Sequence, residues 1–307
     1  MQSIRQDGKY SYLFSRYQPV VATVEPGETI EMYTEDAFSG LVKEETDLPS
    51  LLDRPGPNPQ VGPVYVNGAQ PGDTLAVHIH SIELTRDYGA SQINTAFGGL
   101  QGTKFTAMLH PPLENQVFKY IIDGDKVYHP RHHHLAFEAQ PFMGTVATAP
   151  KMEALSTLVP FDQGGNMDVP DVKAGNTIYL PVAVEGAYFY TGDCHARQGH
   201  GELCGTAVEI SGKVTLSFDI IKDMKTAWPR IESPTHYMAV GSARPLEDAA
   251  RIAWCELISW MEEMGWDKIH AYQMLTQVGE MTVGNMVDPN YSMVAKIEKR
   301  YADYFRK

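Results

Sequence analysis

Between Tyr190 and Glu209 the chain reads YTGDCHARQGHGELCGTAVE, which sets Asp193, His195 and Glu202 close together in a run rich in glycine. A neutral imidazole with one or two carboxylates is a donor set for Zn²⁺, and further oxygens would make room for Ca²⁺ or Mg²⁺. Two strand-like runs flank the polar turn, so the segment reads as a β-hairpin. The two-residue period of a strand sends Asp193 and His195 to one face and Cys194 to the other. Closing the loop over Ala196 to Gly201 sets Glu202 opposite His195, with Gly199 and Gly201 permitting a tight path. By spacing alone, Asp-x-His on a hairpin also fits a surface ion pair.

A second polar cluster lies upstream in FDQGGNMDVPD, where Asn166 and Asp168 alternate after a Gly-Gly turn. In PFMGTVATAP, Gly144 either brings backbone close to the site as an oxyanion donor or makes a tight turn for packing. Cys194 offers a different chemistry, a thiolate nucleophile activated by His195. Strand alternation opposes it, since neighbouring side chains point to opposite faces. Cys204 and Cys255 read as small buried hydrophobes. His132, His133 and His134 cannot all face one ion from a regular strand and read as a surface loop. His78 and His80 share a strand face without a matching carboxylate.

The elements that must hold these groups are mostly strands. EPGETIEMYT, QPGDTLAVHI and KAGNTIYLPV repeat one pattern, a glycine turn that throws an alternating strand. Most of the first 225 residues read as β, and no GxGxxG or P-loop follows a strand. After Pro245, LEDAARIAWCELISWMEEMG places Leu246, Ala250, Ala253, Leu257, Trp260, Met261 and Met264 on one helical face, with Gly265 as a stop. DKIHAYQMLTQVG predicts a second helix capped by Asp267 and ended by Gly279, and the final run predicts a strand or loop and then a short helix. The fold expected is a β-rich α+β one, with stacked antiparallel sheets of sandwich or jelly-roll type and an added α+β part that includes a C-terminal helix pair. Three stretches are expected: a β-rich domain over 1–155, a β-rich catalytic core over 156–240, and a helical hairpin with tail over 241–307.

With 38 acidic against 25 basic residues the formal charge is −13, which disfavours nucleic acid and anionic lipid as partners. No run approaches the ~18 apolar residues of a membrane span, the N-terminus carries no apolar signal region, and three cysteines suit a reducing compartment. A cytoplasmic protein is expected. The Met-rich and aromatic helical face suggests a homodimer.

The segments GPVYVNGAQPGDTLAVHIHSIEL, PFMGTVATAP, GGNMD, LPVAVEGAYFYTGDCHARQGHGELCGTAVE and NMVDPNYSMVAKI, in this order, resemble the acetamidase/formamidase family over nearly the whole chain. The resemblance implies hydrolysis of a small aliphatic amide to a carboxylate and ammonia, on a β-rich fold and with a divalent metal. It carries the family's GD-x-H and GxGE elements onto Gly192, Asp193, His195, Gly199, Gly201 and Glu202, and an acidic Asp-Ala onto Asp36 and Ala37. His200 departs from the family pattern, standing where an acid is common. On this reading Asp193, His195 and Asp36 bind the metal, Zn²⁺ first. Glu202 shuttles the proton, Asn166 orients the substrate carboxamide, Gly144 contributes to substrate binding, and Asp168 either ligates or fixes His195. The alternatives are a Cys194 thiolate amidase and a non-catalytic metal- or sugar-binding β-sandwich.

Overall fold

Gly27, Gly72 and Gly175 have φ of 82°, 96° and 85°, a left-handed backbone that glycine adopts without steric cost. Each launches a strand, Thr29–Thr34, Thr74–Leu84 and Thr177–Pro181, in the computed structural model, which describes residues 1–95, 97–100 and 113–306. The three strands belong to one sheet, in which Gly212–Ile221 lies between the first two and Thr177–Pro181 follows Thr74–Leu84. Continuing outward, that sheet adds Arg230–Glu232, His236–Ala243, Tyr291–Glu298 and Glu280–Val283, and Gln2–Ile4 pairs with its other edge.

The second large sheet is built around Phe189–Arg197. This strand pairs with Phe142–Ala147, with Gln60–Val66 and with Val208–Glu209, and Gly164–Asn166 lies beyond Phe142–Ala147. Ile30, Leu75, Val77, Leu216 and Phe218 of the first sheet share one buried cluster with Val61, Val64, Met143, Phe189 and Cys194 of the second. That burial removes large apolar side chains from water and is the main driving force for stacking the sheets. The strand-rich α+β expectation holds. Among the described residues no helix is long and apolar enough to cross a membrane.

The helix pair is present as α1 (Leu246–Glu263) and α2 (Lys268–Val278). Asp267 caps α2 by accepting from the Ile269 and His270 amides at 3.0 and 3.1 Å. α1 buries Ala253, Leu257, Trp260 and Met261 against Tyr237, Ala239, Ala295 and Ile297 of the sheet. Ala249, not Leu246 or Ala250, takes the innermost place in its first turns. The reason is a close backbone approach: a Cβ at Gly241 would stand 2.2 Å from the Ala249 carbonyl. The last strand, Tyr291–Glu298, runs directly into a short helix, Lys299–Ala302.

The boundaries expected near 155 and 240 do not separate sheets. The first sheet takes strands from all three stretches, and the loop after Glu280–Val283 docks on the middle one, with the Gly201 amide donating to Val283 and Gly284 carbonyls. The antiparallel strand pair Glu280–Val283 and Tyr291–Glu298 thus brings its connecting loop onto the middle stretch.

Arg230 is fully buried beneath α1, donating to Glu256 at 2.7 Å and to Glu263 at 2.9 and 3.0 Å. Removing one partner of a buried pair strands the other. Arg230→Met should lower the unfolding free energy by about 3–5 kcal/mol in urea or guanidinium titration, and a loss below about 1 kcal/mol would show that the pair behaves as a surface ion pair.

Candidate active site

His195 is the centre of the site. Its Nε2 lies 3.4 Å from Asp193 Oδ2 and 3.3 Å from Glu209 Oε2, and all three residues are buried. The Phe142 ring stands edge-on to the imidazole at 4.9 Å, and Gln198 Oε1 meets Nδ1 at 3.0 Å, which together fix the ring plane. Two donor groups share this histidine: Asp168, Asp193 and His195, and His195, Glu202 and Glu209, with donor atoms in each group within 4.8 Å of one another.

The expected division of the strand holds, with Asp193 and His195 in the site and Cys194 in the apolar core between the sheets. It is not reached by plain alternation, because Asp193 has φ 59°. Asp168 and Glu202 are also left-handed, at 51° and 49°, a sparsely used backbone region for non-glycine residues that concentrates at functional sites. The tight hairpin does not form. The strand runs on to Arg197, and the residue opposite His195 is Glu209, not Glu202. Glu202 reaches the cluster from the longer loop instead, and its carboxylate accepts no hydrogen bond from a described residue.

Several expected roles change. Asp36 lies outside both donor groups: one oxygen accepts from the Phe38 and Gly40 amides, and the other is taken by Arg86. Arg86 also donates to the Glu209 carbonyl at 3.3 Å, so Asp36 supports the site through Arg86 and is not a ligand in this arrangement. Asn166 is saturated. Its oxygen accepts from Asn58 and Thr145, and its two amide hydrogens serve Asp168 Oδ2 and Asp288 Oδ2, both at 2.8 Å. That leaves nothing for a substrate carboxamide, and Asn166 is a positioning residue. Gly144 is the floor beneath the carboxylates and not a wall of the cavity: a Cβ there would stand 2.5 Å from Asp193 Oδ2 and 2.6 Å from Asp168 Oδ1. Asp168 does not fix His195 through its side chain; Gln198 does, anchored on the Asp168 carbonyl.

Sequence reasoning missed Glu209, Asp288 and Gln198. Glu209 was visible as a lone acid between Val208 and Ile210. Asp288 had a subtler signal, an echo of GNM in Gly165–Met167 and Gly284–Met286. The two copies face each other, with Asn166 donating to Asp288 while Asn285 donates to Asp168 Oδ2 at 3.3 Å.

Cys194 is fully buried and its thiol is pushed up to about 12, chiefly by burial. Its sulfur packs where a Cβ on Gly212 would stand only 2.6 Å away, so it has no path to a substrate. Cys204 and Cys255 are exposed, contrary to expectation. His132, His133 and His134 lie on an exposed strand, and His78 does have a carboxylate, Asp219 at 2.9 Å.

The site opens into a cavity of about 280 Å³ bordered by Asn166, Asp193, Glu202, Glu209 and Asp288 on one side and by Phe38, Arg54, Asn58, Phe97 and Leu158 on the other. Burial, with Glu202, Asp288 and Asp193 adding repulsion, pushes Asp168 well above the carboxylate range. Burial does the same to Glu202, against the pull of His195, and lifts Glu209 and Asp288 each to about 7. Asp193 is also opposed by burial, but the imidazole beside it holds it low. Burial opposes a charge on His195 as well, yet Glu209 and Asp193 raise it well above its usual value. The cluster calls for more positive charge than one imidazole supplies.

Residues 5–159 and 151–300 match the Acetamidase/Formamidase family. The chain belongs to that family. It is similar to the crystal structure of an acetamidase from Yersinia enterocolitica, with 42% identity and a TM-score of 0.91 over 95% of this chain and 89% of the other. It is 25% identical to the acetamidase of Mycolicibacterium smegmatis over 66% of its length, and 25% identical to the formamidase of Methylophilus methylotrophus over 71%. The chain spans only 64% and 65% of the length of these two relatives.

In the metal-free protein, burial makes folding forgo the ionisation that Glu202 has in the unfolded chain, a cost present wherever the pH exceeds its unfolded value and absent below it. Glu202→Gln, neutral throughout, should therefore stabilise chelator-treated protein at pH 8 by about 1 kcal/mol or more and leave it unchanged near pH 4. Denaturation at both pH values checks this, and an equal or lower stability at pH 8 would contradict it.

Proposed function

We propose that the chain is an amidase that hydrolyses small aliphatic carboxamides, of formamide and acetamide type, with a divalent cation held at His195. The observation that carries this reading is a set of three buried polar atoms that make no hydrogen bond among the described residues, His195 Nε2, Asp168 Oδ1 and Glu209 Oε2, in a cluster already overloaded with carboxylate. Orphaned buried groups are costly, and a cation satisfies all three at once. One imidazole with several carboxylate oxygens suits Zn²⁺, and the oxygen-rich side suits Ca²⁺ or Mg²⁺. His195, Glu209, Asp168 and Asp193 would hold it.

When bound, such an ion acidifies water toward pKa ~7 and polarises the amide carbonyl. Glu202 supplies the remaining need. Its carboxylate borders the cavity without a hydrogen-bond partner among the described residues, so it is free to take the proton of the attacking water as the new C–O bond forms. It returns that proton to nitrogen as the C–N bond breaks, and one water and one amide give one carboxylic acid and one ammonia, which part as carboxylate and ammonium once the acid's proton passes to the ammonia. Asn166 keeps Asp168 and Asp288 in place, and Gln198 holds His195.

The cavity of about 280 Å³ has room on the order of nine waters at ~30 Å³ each, more than formamide needs. Because one methylene is worth only ~1–3 kcal/mol of discrimination, several short amides should be turned over. The proposal keeps a cytoplasmic setting and a homodimer, the latter supported by exposed Ile269 and Tyr272 on α2.

Purified protein should release ammonia from formamide and acetamide, lose that activity on chelation and regain it with Zn²⁺, while thiol blocking leaves it intact. Loss on thiol blocking alone, or turnover indifferent to complete metal removal, would overturn the reading. Glu202→Gln should keep its metal and lose turnover by roughly 10²-fold or more; wild-type turnover in that variant would remove Glu202 from the proton path.

A further inference from the structure

Gln198 is buried between three segments of the chain. Its amide nitrogen donates to the Asp168 carbonyl at 2.8 Å and to the Gly284 carbonyl at 3.0 Å. Carbonyls only accept, so both amide hydrogens are committed and the side chain cannot flip. Its oxygen is thereby left facing His195 Nδ1 at 3.0 Å. An amide oxygen only accepts, so Nδ1 must carry a proton. In the neutral ring the lone pair then falls on Nε2, the atom between Asp193 and Glu209 that has no hydrogen-bond partner among the described residues.

We infer that Gln198 is the positioning residue that sets the tautomer of His195, fixing the proton on Nδ1 so that Nε2 presents its lone pair to the centre of the carboxylate cluster. Without that setting, the neutral ring could carry its proton on Nε2 and hydrogen-bond to Asp193 or Glu209, an arrangement that satisfies the ring and closes the donor set. The choice of glutamine follows. A carboxylate would accept from Nδ1 equally well but would add another negative charge and turn an oxygen toward two carbonyls. A hydroxyl has one hydrogen for two carbonyls, and an ammonium has no lone pair to accept from Nδ1. Gln198 also couples the tautomer to the loops bearing Asp168 and Gly284, since both loops anchor its amide.

The inference rests on the proposed cation at His195, and two measurements separate the failure of one from the failure of the other. The first is Zn²⁺ affinity of the full-length apoprotein by competition with a chelating dye, for wild type, Gln198→Met and Gln198→Glu. Gln198→Met loses both roles and should bind Zn²⁺ 10–100-fold more weakly. Gln198→Glu keeps an acceptor for Nδ1 and should lose less than the ~10-fold that marks the loss of an outer partner. Equal affinity in all three proteins, or an equal fall in both variants, would make Gln198 a strut between carbonyls and overturn the inference. The second is the ¹⁵N spectrum of histidine-labelled, metal-free protein with the ring neutral, the His195 signal being assigned with His195→Gln. Wild type and Gln198→Glu should show the proton on Nδ1, and Gln198→Met a mixture or the Nε2 form. An unchanged Nδ1 proton in Gln198→Met overturns the inference. Failure of wild type to bind a divalent ion would instead sink the cation reading, with the spectrum still deciding the tautomer.

Discussion

Asp168, Asp193, Glu202, Glu209 and Asp288 are all buried around one imidazole, and the cost of crowding that charge away from water governs the rest of the molecule. Desolvation alone opposes the ionised form of each, and their mutual repulsion adds to it. The protein answers locally with hydrogen-bond donors, Asn166 to Asp168 and Asp288, Asn285 to Asp168, and the Ala207 amide to Glu209 at 2.9 Å. Those donors are too few, and His195 Nε2, Asp168 Oδ1 and Glu209 Oε2 remain unmatched.

The sheets serve that cluster in a specific way. Packing of the two large sheets drives Cys194 inward and leaves Asp193 and His195 on the far side of the same strand. Three acids then sit on left-handed backbone, which only a well-packed frame sustains. Glycine at 144 keeps the neighbouring strand low enough for Asp168 and Asp193 to meet above it. The loop between strands Glu280–Val283 and Tyr291–Glu298 locks the arrangement by placing Gly284 to Asp288 against Gly201 and the Asn166 turn.

Much of this was legible in the chain itself. Glycine turns followed by alternating apolar residues marked the strands after Gly27, Gly72 and Gly175, and helical spacing marked α1 and α2, because both depend on local backbone geometry. Asp193, His195, Glu202 and Asp168 stood out for the same local reason. What stayed hidden was pairing over distance. Glu209 instead of Glu202 faces His195 because the loop between them is longer than a tight turn, and loop length does not reveal ladder register. Asp36 looked like a ligand until Arg86 arrived from another strand to claim it. Asn166 looked free for substrate, yet Asn58, Thr145 and Asp288 converge from three other segments and, with Asp168, use its whole amide.

The chain belongs to the acetamidase/formamidase family, and the activity proposed for it depends on a dication that His195, Glu209 and Asp168 would hold. Anomalous diffraction at the zinc edge from crystals of the Zn²⁺-loaded protein tests this most directly. The expected result is strong density joined to His195 Nε2 and to oxygens of Glu209 and Asp168. A fully active protein with no anomalous density there, or with zinc confined to the exposed His132–His134 strand, would contradict it.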